Sequence, residues 1–221
     1  MKSINKPGAF TLVEMLVVIA VIAILASMLL PAVARGRQKA LQTNCASNLK
    51  QAGAAIQMFA DDNQDTLPGP VWAGAMASYD INSSQELIWY IAVNMGLPAP
   101  SARTYVAKAF VCPSYESEAP GLTSLVGRKV YFLNPDLDPN PLNSVPPFGN
   151  PGKSPPVQPL KMGAFDSYTS PSAIWAISDV DQALPSLNPT VSWWSDLPRQ
   201  PVHGAVRNQV FFDWHVQAVR W

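Results

Sequence analysis

The sequence predicts an α+β protein: a long N-terminal helix packed on a small antiparallel β-sheet, with a Pro-rich loop. Three observations lead there. Residues 10–30 form an almost unbroken apolar block. Apolar residues then recur every three or four positions to about residue 60, the spacing of one helix face. The remainder holds short strand-like runs separated by Pro, Gly and Asn.

A chain of 221 residues is long enough for one domain with a real core and an attached segment. Fifteen basic residues balance fifteen acidic ones, so no basic excess points to nucleic acid. Charged residues make up 14%, which is low for a wholly soluble protein. Cys45 and Cys112 are the two cysteines, and neither sits in a CxxC pair, which argues against a cysteine zinc site.

Taken in order, the chain opens with a short polar stretch, MKSINKPGA, carrying Lys2 and Lys6. Phe10 to Leu30 follow, with Glu14 as the single charge. As a helix this run spans roughly 30 Å, the thickness of a bilayer core. Three readings fit such a segment: a secretory signal with Ala32-Val33-Ala34 as its cleavage site, a plain transmembrane anchor, or a helix that is processed and then polymerises. Glu14 bears on the choice. A carboxylate inside an apolar span costs about 3 kcal/mol unless it is paired or neutralised, and neither a signal nor a plain anchor has a use for it. Flanking charges do not fix the topology, because Arg35, Arg37 and Lys39 oppose Lys2 and Lys6.

Gly8-Ala9-Phe10-Thr11-Leu12-Val13-Glu14 resembles the processing signal of type IV pilins and type II secretion pseudopilins. The resemblance implies a leader peptide over residues 1–9, cut between Ala9 and Phe10 by a prepilin peptidase that methylates the new amine. Ala9 departs from the family's usual Gly but is also small. Glu14 matches the family's glutamate four residues after the Phe, and Pro31 matches its helix-kinking proline. The implied mechanism pairs Glu14 with the Phe10 ammonium of a neighbouring subunit, which relieves the buried charge on assembly.

Residues 31–62 are expected to continue the helix in amphipathic form, through Leu41, Cys45, Leu49, Ala52, Ile56 and Phe59. Pro31 removes a backbone hydrogen bond and is expected to bend or locally melt the helix. Asp61, Asn63 and Asp65 alternate like the start of a calcium loop, but Thr66 stands where Gly is expected and no glutamate follows at the right distance. A polar helix terminus and turn is the simpler reading. The stretch from Asn44 to Pro68 and the Cys112-Pro113 pair are similar to elements of pilin-like proteins of environmental bacteria, and this similarity favours a Cys45–Cys112 disulfide, two separate buried thiols being the alternative.

Residues 63–221 are expected to form a globular periplasmic head. Ser84–Met95 reads as a short helix stopped by Gly96. Arg128–Leu133 and Ala173–Ser178 read as strands. Gln209–Asp213 and His215–Arg220 read as a closing hairpin around Asp213-Trp214. Between them, residues 134–161 hold nine prolines and read as a long surface loop. His203, Asp213 and His215 resemble the group's His-x9-Asp-Gly-His pattern, with Trp214 replacing a Gly that a tight turn would favour.

Catalytic chemistry finds little support. There is no glycine-rich phosphate loop, and a Ser–His–Asp triad is specified by nothing in the chain. His203 and His215, with Asp213 or Asp179, offer a possible metal set, though hairpin hydrogen bonding is the simpler role. Trp193 and Trp194 read as core more readily than as a glycan or partner surface. No cofactor is expected, calcium or another metal being the alternative.

The resemblance implies a pilin fold and a non-enzymatic structural subunit of a type II secretion or type IV pilus-type filament, held in the inner membrane. Its implied partners are the prepilin peptidase, other pilin or pseudopilin subunits, the secretion or pilus assembly platform and the membrane. A minor pilin for adhesion or DNA uptake, and a membrane-anchored periplasmic binding module, are the alternatives.

Overall fold

The computed structural model describes residues 11–138 and 144–220. The chain divides into two compact units, residues 1–40 and 41–221. Helix α1, Leu12–Asp62, begins in the first and ends in the second.

In the first unit α1 is the only described element. Its apolar side chains are exposed: Leu12, Met28 and Leu30 are each at least 70% accessible. Val and Ile are mediocre helix formers in water. In a bilayer, however, a helix is the one open-chain conformation that satisfies every backbone group. Pro31 lies inside α1 without interrupting it. The expected local melting is therefore not found, and one missing N–H in so long a ladder does not break the helix.

Helix α1 ends where Gln64 and Asp65 adopt φ of 58° and 60°. In this left-handed turn the Asp65 N–H donates to the Ala60 carbonyl at 2.9 Å, closing one of the helix's open acceptors. The Asp61–Asn63–Asp65 run is spent in this terminus. Asp61 Oδ1 accepts from Gln57 Nε2, and Asn63 Nδ2 donates to the Phe59 carbonyl.

The second unit holds β1 (Gly74–Met76), β2 (Ser78–Tyr79), α2 (Leu87–Ile91), β3 (Tyr105–Val106), α3 (Pro113–Glu118), β4 (Lys129–Leu133), β5 (Trp175–Asp179), β6 (Val206–Phe211) and β7 (Val216–Arg220). Five strands form one antiparallel sheet in the order β1-β4-β5-β6-β7, and β2 pairs with β3 apart from it. Tyr131 faces Asp179, Ser178 faces Gln209 and Val210 faces Val216. Every residue of β4 is buried, as befits a strand covered on both faces.

The C-terminal part of α1 covers this sheet. Cys45, Leu49, Ala52, Gly53, Ala55, Ile56 and Ala60 are buried along one stripe. Small residues set the spacing: a Cβ added at Gly53 would stand 3.1 Å from both Trp214 Cε3 and Val210 Cγ2. Trp214 is tied to the helix twice, its Nε1–H donating to Gln57 Oε1 and its carbonyl accepting from Lys50 Nζ. The outcome is the α+β arrangement expected, a long helix on an antiparallel sheet.

Three local expectations need correction. The helix expected over Ser84–Met95 is helical only from Leu87 to Ile91. Glu86 is extended because its carboxylate turns inward to accept from Lys129 Nζ and the Met76 N–H. Beyond Ile91 the chain runs into turns and leaves through Gly96 at φ +72°. The Pro-rich segment is irregular, but it is not all surface. Residues 146–149 are buried, and Phe148 packs on Phe212, which stacks in turn on Phe165 at 4.1 Å between centroids. Residues 139–143 of that segment lie outside the described residues.

The closing hairpin is also displaced from its expected limits. Its first strand stops at Phe211, and Phe212 and Trp214 turn into the core. Two large aromatics gain more by burial than by continuing the ladder.

Candidate functional site

Two groups of residues carry the chemistry of this chain: the start of α1, and a buried polar cluster under the disulfide.

At the start of α1, Thr11 and Glu14 form a reciprocal cap. Glu14 Oε2 accepts from the Thr11 backbone N–H at 2.8 Å and from its hydroxyl at 2.7 Å, while the Glu14 N–H donates to Thr11 Oγ1 at 3.3 Å. This is a capping box, whose T-x-x-E signal was legible as Thr11-Leu12-Val13-Glu14. These bonds satisfy helix donors but supply no positive charge to the carboxylate. Ala9 and Phe10 lie outside the described residues, as does the rest of the 1–9 segment. From Leu12 onward α1 contains a stretch long and apolar enough to cross a membrane, none of it buried within the chain.

In the second unit Cys45 and Cys112 are joined by a disulfide of 2.04 Å. His203 Nε2 lies 3.3 Å from Cys112 Sγ and 3.6 Å from Asp179 Oδ2. The disulfide sulfur can only accept, and so can Asp179 while it is ionised, so a proton on Nε2 would serve both. Asp179 Oδ2 also accepts the Asn208 N–H at 2.7 Å, while Oδ1 has no hydrogen-bond partner among the described residues. Burial drives the Asp179 pKa up to about 7, against the opposing pull of the Asn208 N–H. Beside it Asp181 and Arg207 make a buried two-pronged ion pair at 2.6 and 2.8 Å.

The suggested metal set does not assemble. His215 Nδ1 meets Asp213 Oδ1 at 2.5 Å in the exposed hairpin turn, whereas His203 is buried against the disulfide. Asp213 is held below the usual carboxylate range by the His215 N–H and ring, which outweigh its desolvation. Among the described residues, the one group with metal-ligand proximity is Cys45, Cys112 and His203. Its two sulfurs are bonded to each other, so neither is a thiolate ligand.

Sequence reasoning missed the ion pairs Glu86–Lys129 and Asp181–Arg207, both buried. Their partners lie 43 and 26 residues apart, and no local pattern links them. Trp193 and Trp194 are both partly buried against the core, Trp193 beside Phe132.

Comparison with curated proteins and with solved structures returns no match. Against family models, residues 4–30 match the prokaryotic N-terminal methylation motif. That motif is structural rather than catalytic, and it implies processing by a prepilin peptidase and assembly with other pilins. Together with an apolar helix of spanning length it marks a membrane-anchored protein. The chain thus carries at its N-terminus a methylation motif characteristic of type IV pilins and pseudopilins, ahead of an α+β head.

Proposed function

We propose that the chain is a structural subunit of a type II secretion pseudopilus or a related type IV pilus-type filament. It is stored in the inner membrane with its head in the periplasm, cut between Ala9 and Phe10, and assembled through α1. Its work is structural and includes no catalytic step.

One observation carries this reading: residues 12–30 of α1 are an exposed apolar stretch bearing a single acid, Glu14, inside the matched methylation motif. Among the described residues Glu14 has hydrogen bonds from Thr11 and no cation. Cleavage would create an ammonium on Phe10. In a bundle of copies a staggered neighbour can present that amine to the carboxylate in a dry environment. Each added subunit then converts an uncompensated charge, costing about 3 kcal/mol in an apolar span, into a paired one. The exposed Leu, Val and Ile of residues 12–30 exchange lipid for helix–helix packing at the same time.

The test is co-expression with a prepilin peptidase and its assembly platform, comparing wild type with Glu14→Ala and Glu14→Gln. Mass spectrometry of the mature chain should find N-methylated Phe10 in all three. Incorporation into sheared filaments should fall by about tenfold or more in both variants, in line with the loss of one pairing energy. A processed protein that enters filaments equally well without Glu14 would sink the mechanism. A processed protein that never enters them would point instead to a membrane-anchored binding module.

A further inference from the structure

The head contains a cleft of about 460 Å³ that the filament reading does not use. This volume falls within the range of small-molecule sites, about 300–1,000 Å³. Its walls include Trp72, Phe132 and Trp193, and the Glu86–Lys129 ion pair lies in the same lining.

Both indoles are held in place. Trp72 is 42% exposed, an unusual amount for so large an aromatic ring. Its Nε1–H nevertheless donates to Gln85 Oε1 at 2.9 Å. Its ring edge rests on Gly152, where an added Cβ would lie 2.9 Å from Cζ3. Trp193 rests on Gly74 in the same way, with an added Cβ only 2.8 Å from its Cζ2. Two glycines thus let two indoles settle into fixed positions on one cleft, and a fixed aromatic wall loses little entropy when a ligand lands on it.

The polar part of the lining is equally constrained. Glu86 and Lys129 side chains are 7% and 9% exposed and meet at 2.8 Å. Glu86 Oε2 accepts the Met76 N–H at 3.1 Å. Lys129 Nζ gives one of its three N–H donors to Glu86 Oε1.

Charge decides the ligand class. A cation attracted by the indole faces would meet the Lys129 ammonium, and an anion would meet the Glu86 carboxylate. The pair sums to zero, so neither sign gains. A purely apolar ligand would strip water from a buried ion pair and return no hydrogen bond. A neutral polyhydroxylated ring fits both halves of the wall. Its C–H face carries slight positive charge and lies on the electron-rich indole face, while its hydroxyls donate to Glu86 and accept from Lys129.

We propose that this cleft is a carbohydrate-binding site taking one ring of a neutral saccharide between the Trp72 and Trp193 indoles, with the Glu86–Lys129 pair reading its hydroxyls. The site lies wholly within residues 72–193, apart from the α1 residues that the filament reading uses.

The test uses the full chain in a polyoxyethylene detergent, because a sugar-headgroup detergent would compete. Cellohexaose, chitohexaose and maltohexaose are titrated separately, with tryptophan fluorescence and calorimetry as readouts and choline chloride and sodium acetate as charged controls. At least one hexaose should bind saturably. Trp72→Ala should weaken it by about tenfold or more, Trp72→Phe should retain most of the affinity, and Tyr168→Ala, outside the cleft, should leave it unchanged. Near-UV circular dichroism checks that each variant keeps its core. Absence of saturation with all three hexaoses, unaltered binding by a folded Trp72→Ala, or tighter binding of choline or acetate would each overturn the proposal.

Discussion

The Asp179 carboxylate lies in the core with one oxygen bonded to the Asn208 N–H and the other without a hydrogen-bond partner among the described residues. The Asp181 charge adds to the effect of burial, while Asn208 and Arg207 oppose it. Burial wins, and the pKa rises from the ordinary 3.8 to about 7. The folded state therefore keeps a proton that the unfolded chain releases once the pH passes 3.8. Between about pH 4 and pH 7 this group lowers stability progressively, and above pH 7 the deficit is constant. Asp179→Asn can keep the Asn208 bond through its amide oxygen and carries no charge to bury. In denaturant titrations, the variant's stability relative to wild type should rise from pH 4 to pH 7 by about 3 kcal/mol. Parallel pH profiles for the two proteins would contradict the assignment.

At the scale of elements, the contact between α1 and the β6–β7 hairpin turns on one residue that breaks a local rule. Trp214 has φ +64°, a conformation that favours glycine, yet its side chain is buried over Gly53. The backbone strain costs about 1 kcal/mol, and burying an indole offsets it several times over. Two substitutions separate these terms. Trp214→Ala should lose the packing and keep the strain, destabilising the head by about 3–5 kcal/mol. Trp214→Gly should lose the same packing but relieve the strain, and should come out about 1 kcal/mol more stable than Trp214→Ala. Thermal unfolding of the pair gives the order. If Trp214→Gly matches wild type, packing on Gly53 is not what holds the hairpin to the helix.

At the scale of the whole molecule, the Cys45–Cys112 bond ties α1 to the segment that leads into α3, across a separation of 67 residues. In the loop-entropy account, closing a loop of that length in the unfolded chain is worth about 4 kcal/mol, and measured values commonly fall to about half. Both cysteines are buried, so reductant reaches them only through unfolding. The double variant Cys45→Ser, Cys112→Ser should lose about 2–4 kcal/mol in guanidinium titrations. Wild type should resist dithiothreitol under native conditions and become sensitive near its denaturation midpoint. Ready reduction of the folded protein would place the sulfurs at the surface instead.

The sequence by itself determined the long helix, its apolar first half, the buried stripe through Cys45, Leu49, Ala52 and Ile56, and the sites of β4, β5 and the closing hairpin. These are consequences of residue spacing, and spacing is local. Only the tertiary structure decided that Phe148 enters the core from within a Pro-rich segment, that Glu86 cuts α2 short to reach Lys129, and that His203 parts from Asp213 and His215 to lie on the disulfide. In each case a buried charge or a large aromatic ring overrode a local preference. The free energy of satisfying or burying it exceeds the fraction of a kcal/mol by which one backbone conformation is preferred over another.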